Sequence, residues 1–252
     1  MISDYLIKSP IVRKISFTGS TPVGRKLAAL AGAHMKRCTM ELGGHAPVIV
    51  CDDADIDDAV DHLVAFKFRN AGQICICPTR FFVQRGVYEK FVSRFVEKTQ
   101  KIKVGGGTDE STTMGPLAQA RRVTEMEQFV EDARQQGANV LEGGYALSGT
   151  GNFFAPTVIT DIPRTAKLMR EEPFGPIAGI VPFNEIPEAL EWANSLSFGL
   201  ASYAYTTSLA NSHAITHGLE AGMVSINHIG LALYLKKIDC QHYQDDLDKN
   251  NI

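Results

Sequence analysis

Apolar positions along the chain follow two rhythms, and the order of those rhythms predicts the fold. IVRKISF (11 to 17) reads as a strand running into the turn TGST, with Pro22 starting a helix that extends to about Ala33. TMEL and PVIVCDD read as two further short strands. Asp52 to Asp55 then supplies an N-cap and an acidic first turn. Ile56, Ala59, Val60, Leu63 and Phe66 repeat at helical spacing, so that helix is expected to run to about Arg69. RFFVQ (80 to 84) is the next strand. Val87, Tyr88, Phe91, Val92, Phe95 and Val96 define another amphipathic helix, and Val123, Met126, Val130 and Ala133 one more; both stripes are expected to be core. FFAPTVI, PIAGIVPF, ASYAYT and MVSIN supply later strands, with helices at about 186 to 195 and 208 to 219 between them. Strands alternating with helices of this length suit βαβ crossovers and predict an α/β architecture with parallel strands. The last stretch, YLKKIDCQHYQDDLDKNNI, turns polar and is expected to be a poorly ordered tail or a short solvent-facing helix.

Composition narrows the class. At 252 residues the chain is long enough for one large domain or two smaller ones. Its net charge of −3 gives no electrostatic reason to expect nucleic acid or a membrane surface as partner. Five cysteines, an odd number without disulfide-scaffold density, favour free thiols in a reducing compartment. MISDYLIKSPIVRK carries no apolar run of signal-peptide length, and no stretch approaches the roughly 18 apolar residues of a membrane span. A soluble, cytoplasmic protein is the expectation.

The segments that carry chemistry all lie where a strand or helix ends. RNAGQICICPTR (69 to 80) leads from a helix into a strand, and Cys75 and Cys77 flank its second isoleucine. Functional side chains concentrate in such junctions. The two thiols read as a nucleophile, a metal clip, a redox pair or small hydrophobes of a core. A zinc site needs about four ligands, and no second Cys or His pair stands at matching spacing, so no metal is expected. Cys38 and Cys51 are expected to be buried and inert, and Cys240 lies in the polar tail. MELGGHAPVIV places a Gly-Gly pair after Glu41, where the backbone can turn tightly or approach a ligand; the plain alternative is a strand-end glutamate facing solvent. FTGSTPVG runs from a strand through a Gly-Ser turn into a helix N-terminus, which suits a phosphate, although it is not a full G-x-G-x-x-G. REEPFGP sets paired carboxylates before a phenylalanine, either as acid/base machinery or as a solvated acidic face.

Taken together and in order, these four segments resemble the aldehyde dehydrogenase superfamily. FTGSTPVG resembles its cofactor turn, MELGGH its general-base motif, NAGQIC its catalytic-cysteine motif and EEPFGP its nicotinamide-side motif. TMGPL, NFFAPTVI, SFGLASY and GMVSIN resemble further family segments, and the similarity runs from about Leu6 to Leu233. The resemblance implies an α/β, aldehyde dehydrogenase-like catalytic domain with a partial Rossmann-like cofactor domain. It implies Cys75 as nucleophile and Glu41 as the base that activates the hydrolytic water. Gly19 and Ser20 would approach the pyrophosphate of NAD or NADP, Glu172 would bind its ribose, and Phe174 would pack near the nicotinamide. FRNAGQxCxC is most similar to the succinate-semialdehyde dehydrogenase branch, in which Arg69 would hold the distal carboxylate of the substrate and Cys77 would be a redox partner of Cys75. The plain alternatives are a cation at a helix C-terminus for Arg69 and a small buried thiol for Cys77.

That chemistry explains the residue types. A thiolate adds to an aldehyde, and the resulting thiohemiacetal can pass hydride to a nicotinamide. The thioester left behind needs a base that works near neutral pH, so Glu41 is expected to be partly removed from solvent. The family's Pro-Trp-Asn segment and its PFGG-x-K segment have no counterpart here. The expectation is therefore an incomplete copy with little turnover: 1–43 a remnant of the NAD(P)-binding domain, 44–233 the catalytic thiol domain, 234–252 a divergent tail. The expected partner is a small aldehyde, not nucleic acid or a membrane, with a homo-oligomer or association with a full-length paralogue as further expectations. Two alternatives stay open: a non-catalytic remnant, and a cofactor-independent thiol hydrolase using Cys75 with Glu41.

Overall fold

The computed structural model of the chain describes residues 2–229; the polar stretch beyond, with Cys240 and the expected 234–252 tail, lies outside the described residues. A short helix α1 (Ile2–Lys8), which the periodicity does not signal, precedes β1 (Lys14–Thr18), α2 (Thr21–Ala33) and β2 (Arg37–Glu41). β1 and β2 pair in parallel, Lys14 against Arg37 through Thr18 against Glu41, and form a two-stranded sheet of their own.

The larger sheet begins at β3 (Ala46–Val50) and continues through β4 (Pro78–Gln84), β5 (Asn139–Glu142), β6 (Thr157–Thr160), β7 (Ile177–Phe183), β8 (Ala201–Tyr205) and β9 (Met223–Ile226). Its seven strands lie in the order β5-β6-β7-β4-β3-β8-β9, parallel throughout except for the antiparallel edge strand β5. All five residues of β3 are buried, as expected for a central parallel strand covered on both faces.

The helices on those faces follow the predicted stripes. α3 (Ile56–Phe68) starts at Asp55, whose carboxylate accepts from the Asp58 N–H at 3.2 Å, and ends one residue before the expected Arg69. It packs beside α4 (Tyr88–Thr99), and Phe81 of β4 meets Phe95 edge-to-face at 5.2 Å between ring centroids. α5 (Ala120–Gln135) and the single turn α6 (Lys167–Arg170) follow. On the opposite face Phe82 meets Trp192 of α7 (Ile186–Ala193) at 6.0 Å, as the alternation of side chains along a strand requires. α8 (Leu209–Gly218) connects β8 to β9, capped by the Ser208 hydroxyl accepting from the Asn211 N–H. Among the described residues no helix is long and apolar enough to cross a membrane.

Two long basic side chains, Lys67 and Arg80, sit inside this frame. Arg80, 1 % exposed, donates from Nε to the His45 carbonyl at 3.0 Å and from Nη1 and Nη2 to the carbonyls of Trp192 and Ala193 at 3.1 and 3.0 Å. Burial lowers its pKa to about 10, which leaves it charged at neutral pH.

Candidate active site

The strand and helix ends bearing the four motifs come together around one cavity of about 600 Å³. Gly19, Ser20, Glu41, Cys75, Glu172 and Phe174 all line it. Gly19 follows β1, and its N–H donates to the carbonyl of Glu41 at 3.0 Å, which sets the end of β1 against the end of β2. Ser20 has extended backbone at the N-cap position of α2 and makes no side-chain cap, and no acidic residue occupies the first turn. The amides at that helix start therefore have neither a side-chain cap nor an acidic residue in their own first turn, the condition in which they serve an anion.

After Glu41 the chain crosses to β3 through Leu42, Gly43, Gly44 and His45. The Gly44 N–H donates to Glu172 Oε1 at 3.1 Å. A Cβ on Gly43 would strike the other oxygen of that carboxylate, and one on Gly44 would strike the carbonyl oxygen of Cys75. The glycine pair is thus pressed between two of the expected functional segments. His45 anchors it from below: buried, it bonds Thr79 Oγ1 through Nδ1 at 2.7 Å and the Leu168 carbonyl through Nε2 at 3.0 Å. Nε2 must carry the hydrogen, because a carbonyl can only accept. Burial, with Arg80 and Lys67 nearby, holds its pKa well below the usual histidine value.

The nucleophile turn is strained where it leaves α3. Arg69–Gly72 form a single 3-10 turn in which Asn70 and Ala71 both take φ of 52°, a left-handed backbone that costs an L-residue about 1–2 kcal/mol. Hydrogen bonds offset that cost: Asn70 Nδ2 donates to the Gln73 carbonyl, Gln73 Nε2 donates back to the Asn70 carbonyl, both at 3.0 Å, and the Ala118 N–H donates to Gln73 Oε1 at 2.9 Å. The Cys77 N–H then closes a turn on the Ile74 carbonyl at 2.9 Å. Cys75 is half-buried on the cavity, whereas Cys77 is buried behind it. All four described cysteines are free thiols.

Two positions, Glu41 and Cys38, differ from expectation, and a third, Arg69, sits where its plain alternative placed it. Glu41 is exposed, not partly withdrawn from solvent. The carboxyl on which burial acts is Glu172, pushed up to about 7 by desolvation against the opposing pull of the Gly44 N–H and of the Arg122 and Lys67 charges. Cys38 is exposed on β2, while Cys51 is buried as expected, its thiol raised to about 12 by burial and the charge of Asp53. Arg69 is exposed at the C-terminal end of α3 and is not among the residues lining the cavity.

Two residues absent from the motif reading help to build the site. Arg122 donates to the carbonyls of Pro173 and Phe174, the latter at 3.1 Å, and holds Phe174 where its φ is 41°. Lys67 is fully buried, with Nζ donating to Cys77 Sγ at 3.5 Å. Both sit on the apolar stripes of their helices, Arg122 one turn before Met126 and Lys67 one turn after Leu63, and a charge in such a row was the available signal.

Known proteins resemble this chain in sequence and fold. The model of the family described as "Aldehyde dehydrogenase family" matches residues 1–233. A putative 4-(hydroxymethyl)benzenesulfonate dehydrogenase of Comamonas testosteroni is 47% identical over 92% of this chain and 48% of its own length. The mitochondrial succinate-semialdehyde dehydrogenase of Oryza sativa subsp. japonica is 46% identical over 90% of this chain and 43% of its own. The crystal structure of succinate-semialdehyde dehydrogenase from Burkholderia pseudomallei superposes with a TM-score of 0.89 at 42% identity, over 91% of this chain and 48% of that one. The chain spans about half the length of the curated relatives it matches. Motif order, sheet topology and a family match over all of the described residues agree: the chain belongs to the aldehyde dehydrogenase family.

Proposed function

We propose that this site serves the NAD(P)-dependent oxidation of an aldehyde bearing a distal anionic group, with a carboxylated semialdehyde such as succinic semialdehyde as the leading substrate. The observation that carries the reading is the single cavity shared by Cys75, Glu41, Glu172, Phe174 and the Gly19–Ser20 turn. Cys75 is the nucleophile: its sulfur adds to the carbonyl carbon and gives a thiohemiacetal. The residues present fit a nicotinamide cofactor. The open amides at the start of α2 suit a phosphate, the Glu172 carboxyl suits ribose hydroxyls and the Phe174 ring suits a flat heterocycle. The bound nicotinamide supplies the hydride acceptor. Glu41, exposed to water at the cavity wall, is the base that draws a proton from the water attacking the thioester.

Relatives named for succinate and glutarate semialdehydes and for a benzenesulfonate have substrates with an anion in common, which supports an anionic substrate here; Arg69, outside the cavity lining at the C-terminal end of α3, is the planar fork that the resemblance assigns to such a group. Free thiols at all four described cysteines suit a reducing cytoplasm. The test measures reduction of NAD+ and of NADP+ by succinic semialdehyde, and acyl transfer from a p-nitrophenyl ester, for the wild type and Cys75→Ala. Activity in either assay that disappears in Cys75→Ala supports the reading. Activity that survives the substitution, or none in the wild type, overturns it for this chain.

A second reading rests on a separate observation. β1 and β2 each have one strand neighbour among the described residues, and Ile2, Tyr5 and Ile11 are 81–85 % exposed nearby in sequence. Unpaired strand edges and uncovered apolar side chains invite another chain. The proposed partner is a full-length family member or a second copy, and sedimentation of the purified chain alone and mixed with such a member tests it. A monomer that ignores the mixture removes this reading.

A further inference from the structure

We infer that Lys67 and Cys77 form an oxidant-driven covalent link, a sulfenamide between the lysine nitrogen and the cysteine sulfur. Both side chains are buried, at 0 % and 2 % exposure. Nζ donates to Sγ at 3.5 Å, and the thiol lies equally close to the carbonyls of Lys67 and Pro78. Cys75 instead lines the cavity, so the two thiols of this turn meet different surroundings.

The chemistry follows from what burial does to charge. Burial lowers the pKa of Lys67 and raises that of Cys77, while each charge favours the other. Burial is the larger effect on Cys77, and the nearby ammonium opposes it, so a minor thiolate fraction is the form that reacts with a peroxide. The sulfur attacks one peroxide oxygen, the O–O bond breaks, and water leaves to give the Cys77 sulfenic acid. That step removes the negative partner of Lys67. A lone ammonium in a buried site is costly, so Lys67 gives its proton to the hydroxide released from the peroxide, which departs as that water, and becomes a neutral amine. Its lone pair then attacks the sulfur, the S–O bond breaks, and a second water departs. The balance is Cys–SH + Lys–NH2 + H2O2 → Cys–S–NH–Lys + 2 H2O, with two electrons passing from sulfur to the peroxide. The link fastens the turn that carries Cys75 to the last turn of α3. It needs neither nicotinamide nor aldehyde and stands apart from the dehydrogenase reading.

The test treats the full chain with hydrogen peroxide, unfolds it in N-ethylmaleimide, and maps tryptic peptides by mass spectrometry. The expected product joins peptide 70–80 to the peptide containing Lys67, with cleavage after Lys67 lost and then restored by dithiothreitol. Lys67→Arg and Cys77→Ala each abolish the joined peptide. A Cys75–Cys77 disulfide within peptide 70–80, with Lys67 cleaved normally, overturns the inference. So does recovery of Cys77 as a blocked thiol or a sulfinic acid. The wild type alone gives the deciding map, so poor folding of either variant does not weaken the test.

Discussion

The carbonyl oxygen of Cys75 occupies the space that a Cβ on Gly44 would need. The loop after Glu41 and the nucleophile turn are therefore in backbone contact, and neither can move without the other. Gly44→Ala is expected to cost about 1–3 kcal/mol, the usual penalty for overpacking, and to change the rate at which Cys75 is alkylated. Urea denaturation and iodoacetamide kinetics read the two effects. Gly106→Ala is the control, because nothing lies within 4 Å of a Cβ there. Equal behaviour of the two variants would show that the contact is slack.

The cysteines should separate by surroundings. Brief iodoacetamide treatment of the native chain is expected to modify Cys38 and Cys75 and to spare Cys51, which becomes reactive only on unfolding. Peptide mapping before and after urea checks this. Rapid native labelling of Cys51 would contradict its burial.

His45 makes stability fall in acid. Its folded pKa lies well below the ordinary 6.5, so the unfolded chain binds the proton more readily. The contribution is complete above about pH 6.5 and is lost as the pH falls towards the folded value. Urea midpoints at about pH 7.5 and about pH 5 should differ more in the wild type than in His45→Gln. An unchanged pH slope in the variant would remove His45 from the account.

Glu172 acts in the other direction. Its pKa rises from 4.5 to about 7 on folding, so the folded chain binds the proton more tightly, and stability from this group is full below about 4.5 and is lost as the pH rises through about 7. Glu172→Gln should therefore gain on the wild type in urea midpoint between about pH 5 and about pH 8. A gap that stays constant or narrows would mean that Glu172 ionises without a burial cost.

Most of the frame is legible in the chain because burial on one face leaves a periodic trace. The stripe from Ile56 to Phe66 yields α3 to within a residue, and the apolar run PVIV yields a central strand. β5 escapes that reading because it is four residues long, half-exposed and antiparallel at the sheet edge. Cys38 and Glu41 mislead for one shared reason. A strand's pattern tells which side chains share a face, not whether anything covers that face, and β2 has a single neighbour among the described residues. The motif residues could be named from sequence; Lys67 and Arg122 showed only as charges in apolar rows, and their roles come from partners 10 and about 50 positions away.

Arg80 joins parts of the chain more than a hundred residues apart, because one guanidinium supplies the donors for the chain just before β3 and for the last carbonyls of α7. Ser195 also donates to the Trp192 carbonyl, and the residue of a central strand completes the capping of the helix's C-terminal end. Fraying of α7 would strand the buried cation, and loosening of β4 would uncap the helix. The two elements therefore have reason to melt together, and the crossover helix inherits the rigidity of the strand beneath it.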